Sequence, residues 1–127
     1  DRNDFSTVLN MKYNNFSMLF TGDISEKVEE RLLENELIPK VIVLKVAHHG
    51  SKYSTTTKLL EKATPQYAII SVGKYNNYGH PTKETLSRLR NEKTKIFRTD
   101  ADGAVTIKTD GETMDITGQN KPIAIYK

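Results

Sequence analysis

The sequence predicts an α/β layered fold: a mainly parallel mixed sheet with helices on one face and β-hairpins at both ends. Three observations predict it. Residues 41–47 (VIVLKVA) and 67–72 (YAIISV) are almost wholly apolar, the pattern of strands buried on both faces of a parallel sheet. Segments with helical spacing of apolar residues alternate with them. Turn residues, Asn14-Asn15 and Asp110-Gly111, interrupt strand-like runs toward the two ends.

In chain order, residues 5–13 alternate loosely and predict a strand, 14–15 a turn, and 16–21 a second strand that completes a hairpin. Val28, Leu32, Leu33 and Leu37 fall at helical spacing with acids on the other face, which predicts a helix from Ser25 to about Glu36. Ser25 or Asp23 would cap it and Pro39 would end it. The apolar strand 41–47 follows, then the loop HHGSKYS, a helix over 54–63 that stops before Pro65, and the strand 67–72. The loop GKYNNYGHP leads into a helix over 81–92 with Pro81 in its first turn. Residues 95–98 read as a strand, 100–103 as a turn, 104–108 and 112–117 as a hairpin, and 122–126 as an edge strand.

The 127 residues suffice for one domain, with no repeat, linker or charged tail. Cysteine is absent, which excludes disulfide scaffolds, zinc ribbons and thiol nucleophiles. No apolar run is long enough to span a bilayer as a helix. Nineteen Lys and Arg against sixteen Asp and Glu give a net charge of +3, which permits an anionic ligand without demanding one. The first residue is Asp1, so an excised fragment or processed product is expected.

The three histidines lie in two short glycine-bearing loops, His48 and His49 in AHHGS and His80 in YGHP. In open α/β sheets, ligand sites gather at the carboxyl ends of strands. Three loops are predicted to leave such ends: Thr21-Gly22-Asp23, His48-His49-Gly50-Ser51, and Gly73 to His80. Carboxylate and imidazole are ligands that zinc, manganese or iron takes. Successive side chains of an extended strand point to opposite faces, so one histidine of the pair would ligate and the other support it or touch substrate. Gly50 would let backbone or substrate approach closely, and Ser51 could donate to an oxyanion.

Simpler readings stand beside these. Asp23, with Glu26 near capping-box spacing, reads as a helix cap. The His48-His49 pair reads as a polar loop and His80 as a helix-cap position. Asp100 and Asp102 resemble the start of a calcium loop, although a β-turn explains them as well. Tyr75 and Tyr78 could stack on bases or cover their loop, and Asn76-Asn77 reads as turn chemistry. There is no G-x-S-x-G elbow and no phosphate-binding glycine loop.

The ordered set NNFSMLFTGD (14–23), EERLL (29–33), VLKVAHHGSKYS (43–54), Pro-x-x-Ala-x-x-Ser (65–71), NNYGHP (76–81) and RTDADGAV (98–105) resembles the C-terminal half of a metallo-β-lactamase-like domain. It is most similar to the hydrolase domain of ComEC-type competence proteins and their stand-alone relatives. The resemblance covers about residues 10–110 and leaves the tail after Gly118 outside it. It implies half of an αββα sandwich with a binuclear site for two divalent ions, zinc or manganese, at one edge. Asp23 would be the bridging carboxylate and His49 a ligand, with His48 beside it; the reverse assignment of the pair stays open. His48, Ser51 and His80 would steady phosphate oxygens.

The family's H-x-H-x-D-H motif, which supplies most of the ligands, does not occur here. The chain is then either a fragment, whose implied partner is the N-terminal half of the same domain and which alone is expected to be inactive, or a degenerate version of the domain. A half-sandwich would leave a sheet face uncovered and favour self-association. The implied activity is a phosphodiesterase or nuclease acting on DNA during uptake by means of a metal-activated water. The alternatives are a non-catalytic nucleic-acid or partner-binding module, or hydrolysis of a phosphorylcholine ester, a cyclic nucleotide or a lactone. The parent would lie in a bacterial inner membrane with this part outside the bilayer. A stand-alone relative would be a secreted or cytoplasmic hydrolase.

Overall fold

The computed structural model describes residues 2–126. A 3-10 turn at Arg2–Phe5 precedes β1 (Leu9–Tyr13) and β2 (Phe16–Phe20), which pair antiparallel around Asn14-Asn15. Then come α1 (Glu26–Glu34), β3 (Val43–Lys45), a 3-10 segment at Ala47–Gly50, α2 (Thr57–Ala63), β4 (Tyr67–Ile70), α3 (Lys83–Asn91), β5 (Lys95–Arg98) and a single helical turn α4 (Thr99–Asp102). The chain ends in β6 (Val105–Thr109), β7 (Met114–Gly118) and β8 (Lys121–Tyr126). The first five strands form one sheet in the order β1-β2-β3-β4-β5, parallel from β2 onward. The last three form an antiparallel sheet. The α/β class with a mixed sheet is thus observed.

Two apolar layers hold the chain together. On one face of the large sheet, Leu19, Leu44, Val46, Ala68 and Ile70 pack against Leu59, Leu60, Leu86 and Leu89 of α2 and α3, with Leu32 and Leu33 of α1 alongside. On the other face, Phe16, Met18, Val43, Tyr67, Ile69 and Phe97 pack against Met114 and Ile116 of β7. The alternation that buries Val105, Ile107, Ala124 and Tyr126 on the same side makes β6–β8 a lid for this second face. Among the described residues, the second face of the large sheet is thus covered by β6–β8. The expected C-terminal hairpin and the edge strand over 122–126 are both observed, as this three-stranded sheet.

Several predicted boundaries move. Residues 2–5 coil into a 3-10 turn, so the first strand starts at Leu9. β3 keeps only Val43–Lys45, because the backbone leaves the extended region at Ala47. Leu37 lies beyond α1 and is 63 % exposed, not on its apolar stripe. α1 ends at Glu34, five residues before Pro39, as Glu36 turns to φ 55°. Asp23 is not the cap of α1: Ser25 holds that position, and its hydroxyl donates to Asp4 instead of capping. Pro81 follows a cis peptide and precedes α3, whose cap is Thr82, accepting from Thr85 N–H; His80 is therefore not the cap. Thr56 caps α2 in the same way. Residues 99–102 form a helical turn, not a β-turn or a calcium loop.

Candidate functional site

The parallel register of β2, β3 and β4 brings their carboxyl ends to one edge, and the loops that leave them are tied together. The His48 N–H donates to the Gly22 carbonyl at 2.9 Å. Thr82 donates to the Gly50 carbonyl through its N–H and its hydroxyl, which joins the second loop to the third. Gly50 has φ +87°, and a Cβ there would stand 2.5 Å from Pro81 Cβ. Only glycine allows the two loops to lie this close.

A recess of about 360 Å³ opens at this edge, lined by Asn3, Asp23, His48, His49, Tyr78 and His80. Five of these, Asp23, the three histidines and Tyr78, are residues that the sequence singles out. His49 Nε2 lies 3.9 Å from Asp23 Oδ1. His49 Nδ1 lies 2.7 Å from the Ser71 carbonyl oxygen. A carbonyl only accepts, so Nδ1 carries the proton, and Nε2 is the nitrogen turned toward Asp23. This is the arrangement by which proteins orient metal-binding histidines. The expected extended conformation of the pair does not hold: His48 and His49 both have left-handed backbones (φ 49° and 55°), so strand alternation does not separate their side chains.

His48 stands edge-on to His80, ring centres 5.7 Å apart, and Tyr78 stacks on His80 at 5.7 Å and 25°. Burial, reinforced by His48 and His49, lowers the His80 pKa and favours its neutral form. Ser51 is not brought into the recess. It is 4 % exposed, and its hydroxyl accepts from Tyr53 N–H at 3.2 Å.

Asp100 and Asp102 lie in a different cluster. Arg98 grips Asp100 through Nε (3.0 Å) and Nη2 (2.7 Å), while Asp102 accepts from the Arg98 N–H at 2.8 Å.

Three further contributors support the site, of which the sequence had offered only Asn76, as turn chemistry. Asn76 organises the 73–80 loop. Its Nδ2 donates to the carbonyls of Gly73 (3.0 Å) and His80 (2.8 Å), and its Oδ1 accepts from the N–H groups of Tyr78 (3.1 Å) and His80 (3.0 Å). Glu29, fully buried on α1, accepts from Thr55 N–H (2.6 Å), Thr56 N–H (2.9 Å) and Thr56 Oγ1 (3.1 Å). Arg88 of α3 donates to the carbonyls of Lys52, Ser54 and Thr55. Together they hold the loop that begins at the histidine pair. The NNYGH string was the signal for Asn76; acids on a helix gave none for Glu29. Lys45, at the end of β3, is largely desolvated, which lowers its pKa against the opposing effect of Asp23.

Among the described residues, no group of three or more His, Cys, Asp or Glu side chains is placed to hold a metal ion. Asp23 and the oriented His49 fit part of a metal site: they are the right donor types and they converge, but they are two.

By sequence the chain is homologous to one region of ComEC-type competence proteins. It is 38 % identical over 104 residues to ComE operon protein 3 of Bacillus subtilis, which covers 82 % of this chain and 13 % of the relative. It is 38 % identical over 108 residues to competence protein ComA of Neisseria gonorrhoeae, covering 83 % of the chain and 15 % of the relative. It is 33 % identical over 114 residues to recombination protein 2 of Haemophilus influenzae, covering 90 % and 14 %. The chain therefore spans about one-seventh of the length of these curated relatives. No family model matches the chain.

Proposed function

We propose that the chain is the C-terminal half of a metallo-β-lactamase-like sandwich and that its parent is a metal-dependent phosphodiesterase or nuclease acting on DNA during competence. The observation that carries this reading is the Asp23–His49 pair. It is oriented through Ser71, it lies at the carboxyl edge of the sheet, and it belongs to a chain related to competence proteins. Asp23 and His49 would hold divalent zinc or manganese together with ligands from the N-terminal half. When bound, such ions lower the pKa of water and polarise phosphoryl oxygen.

The chain's own residues supply position. His48 and His80 face the recess and contact phosphate. The Glu29 and Arg88 networks fix the loop from behind, and Ser51 supports it from within. The parent is membrane-associated, with this part outside the bilayer; no helix of the described residues is long and apolar enough to cross a membrane.

The test is a longer protein that carries this chain with the upstream part of its parent. It should cleave a DNA phosphodiester with Mn²⁺ or Zn²⁺, and Asp23→Ala or His49→Ala should each abolish cleavage. Cleavage that survives both substitutions overturns the site. The two-donor set favours a second reading, a nucleic-acid-binding module without chemistry. Salt-sensitive DNA binding without turnover in the longer protein would establish it.

A further inference from the structure

Loop 73–80 carries an exposed aromatic ring, Tyr78, that the proposed chemistry leaves unused. Tyr78 is 80 % exposed yet ordered, stacked on His80 and fixed through its N–H to Asn76. A tyrosine that merely covered its loop would be buried against it. Tyr78, His80 and His49 also line a second recess of about 190 Å³, completed by Val72, Gly73 and Asn76. The same three residues thus border both recesses, one holding Asp23 and the other containing no carboxylate or ammonium group in its lining.

This second recess has an aromatic wall and an apolar contribution from Val72. Gly73 and Gly79 each have nothing within 4 Å of the position a Cβ would take, so the slot and the backbone beside Tyr78 are open. Asn76 uses both ends of its amide on the loop itself, so the rings are placed before any ligand arrives. Lys52 and Lys74, both exposed, stand on the two loops that border the site.

We propose that this slot takes an unpaired nucleobase of single-stranded DNA, stacked on Tyr78 and His80, with the adjoining phosphodiester at the recess of Asp23 and His49. The inference rests on the proposed action on DNA and adds the form of the strand. Stacking on an aromatic ring accepts any base, since each has a π-face. A base in a duplex is already stacked and must be extruded first, at a cost. The slot therefore selects single strands or frayed ends.

The test uses this chain in low-salt buffer with a metal chelator. The probes are an oligodeoxynucleotide containing 2-aminopurine and its duplex. The single strand should bind more tightly than the duplex, with fluorescence quenched by stacking. Tyr78→Ala should weaken single-strand binding by about fivefold or more and remove the quenching, while Tyr78→Phe should stay within about twofold of the parent chain. Tyr75→Ala, on an exposed ring outside both recesses, should bind as the parent chain does. Unchanged binding by Tyr78→Ala with an unchanged melting temperature overturns the proposal. Equal affinity for the duplex, or no binding to either probe, overturns it as well. Because the assay contains no divalent metal, its failure is distinct from failure of the cleavage reading, which is judged by turnover alone.

Discussion

Gly50 lies directly against Pro81: a Cβ on Gly50 would stand 2.5 Å from Pro81 Cβ and 2.9 Å from its Cα. The contact presses the His48-His49 loop onto the loop that ends in His80. Gly50→Ala combines this clash with a left-handed backbone (φ +87°). It should destabilise the chain by about 2–4 kcal/mol, the sum of overpacking and conformational strain. Gly79→Ala meets no neighbour at φ +69° and should cost only the conformational part, about 1–2 kcal/mol. Urea denaturation of the two variants measures the difference.

Glu29 is an acceptor for three donors of the 55–56 segment. Glu29→Gln turns one acceptor oxygen into a donor facing donors, and should cost about 1–3 kcal/mol. Burial raises the Glu29 pKa, against the lowering effect of the Thr56 and Thr55 hydrogen bonds and of Arg88. A carboxyl with a raised folded pKa contributes stability that is full below its unfolded pKa and is lost as pH rises through the folded value. The stability difference between the parent chain and Glu29→Gln should therefore shrink as pH rises from the ordinary glutamate range. Equilibrium unfolding across that range checks the sign.

His80 should titrate below the ordinary histidine range, because burial comes first and His48 and His49 add to it. A histidine with a lowered folded pKa contributes stability above its unfolded pKa that is lost as pH falls through the folded value. His48→Ala should move the His80 midpoint upward. Imidazole resonances followed by NMR report both.

Asp102 joins three parts of the chain: it accepts from Arg98 N–H at 2.8 Å and lies 3.7 Å from Lys121 Nζ at the start of β8. Asp102→Ala should cost about 1–2 kcal/mol. Hydrogen exchange should quicken at Lys121–Tyr126 while β2, β3 and β4 keep their protection. Uniform acceleration across both sheets would show that the contact is not local to β8.

The central strands were legible because an apolar run has few other uses, and their alternation with helices located the loops that carry Asp23, His48, His49 and His80. What local pattern cannot carry is a partner distant in sequence. Glu29 reads as a solvated acid because Thr55 and Thr56 are 26 and 27 residues away. The alternation of Val105 and Ile107 was visible, but nothing local said that their face would land on Phe16, Met18 and Phe97. The left-handed turn at His48 and His49 was hidden too, since it depends on Gly50 meeting Pro81 and on the Gly22 carbonyl receiving His48 N–H. Among the candidate site residues, Ser51 was identified by its type, while its inward hydroxyl is set by the following turn.

The spatial order of the large sheet is the same as its order in the chain, from β1 to β5. Each strand can therefore dock on the one made just before it, with no gap left for a later segment to fill. Growth from the first hairpin adds the loops of the edge one at a time: Asp23, then the histidine pair, then the Asn76 loop. The antiparallel sheet is a contiguous stretch that follows these five strands in the chain. A chain emerging from synthesis can thus assemble its chemical edge before its second layer closes. Truncation after Arg98 would remove that closing layer while leaving every residue of the edge in the polypeptide.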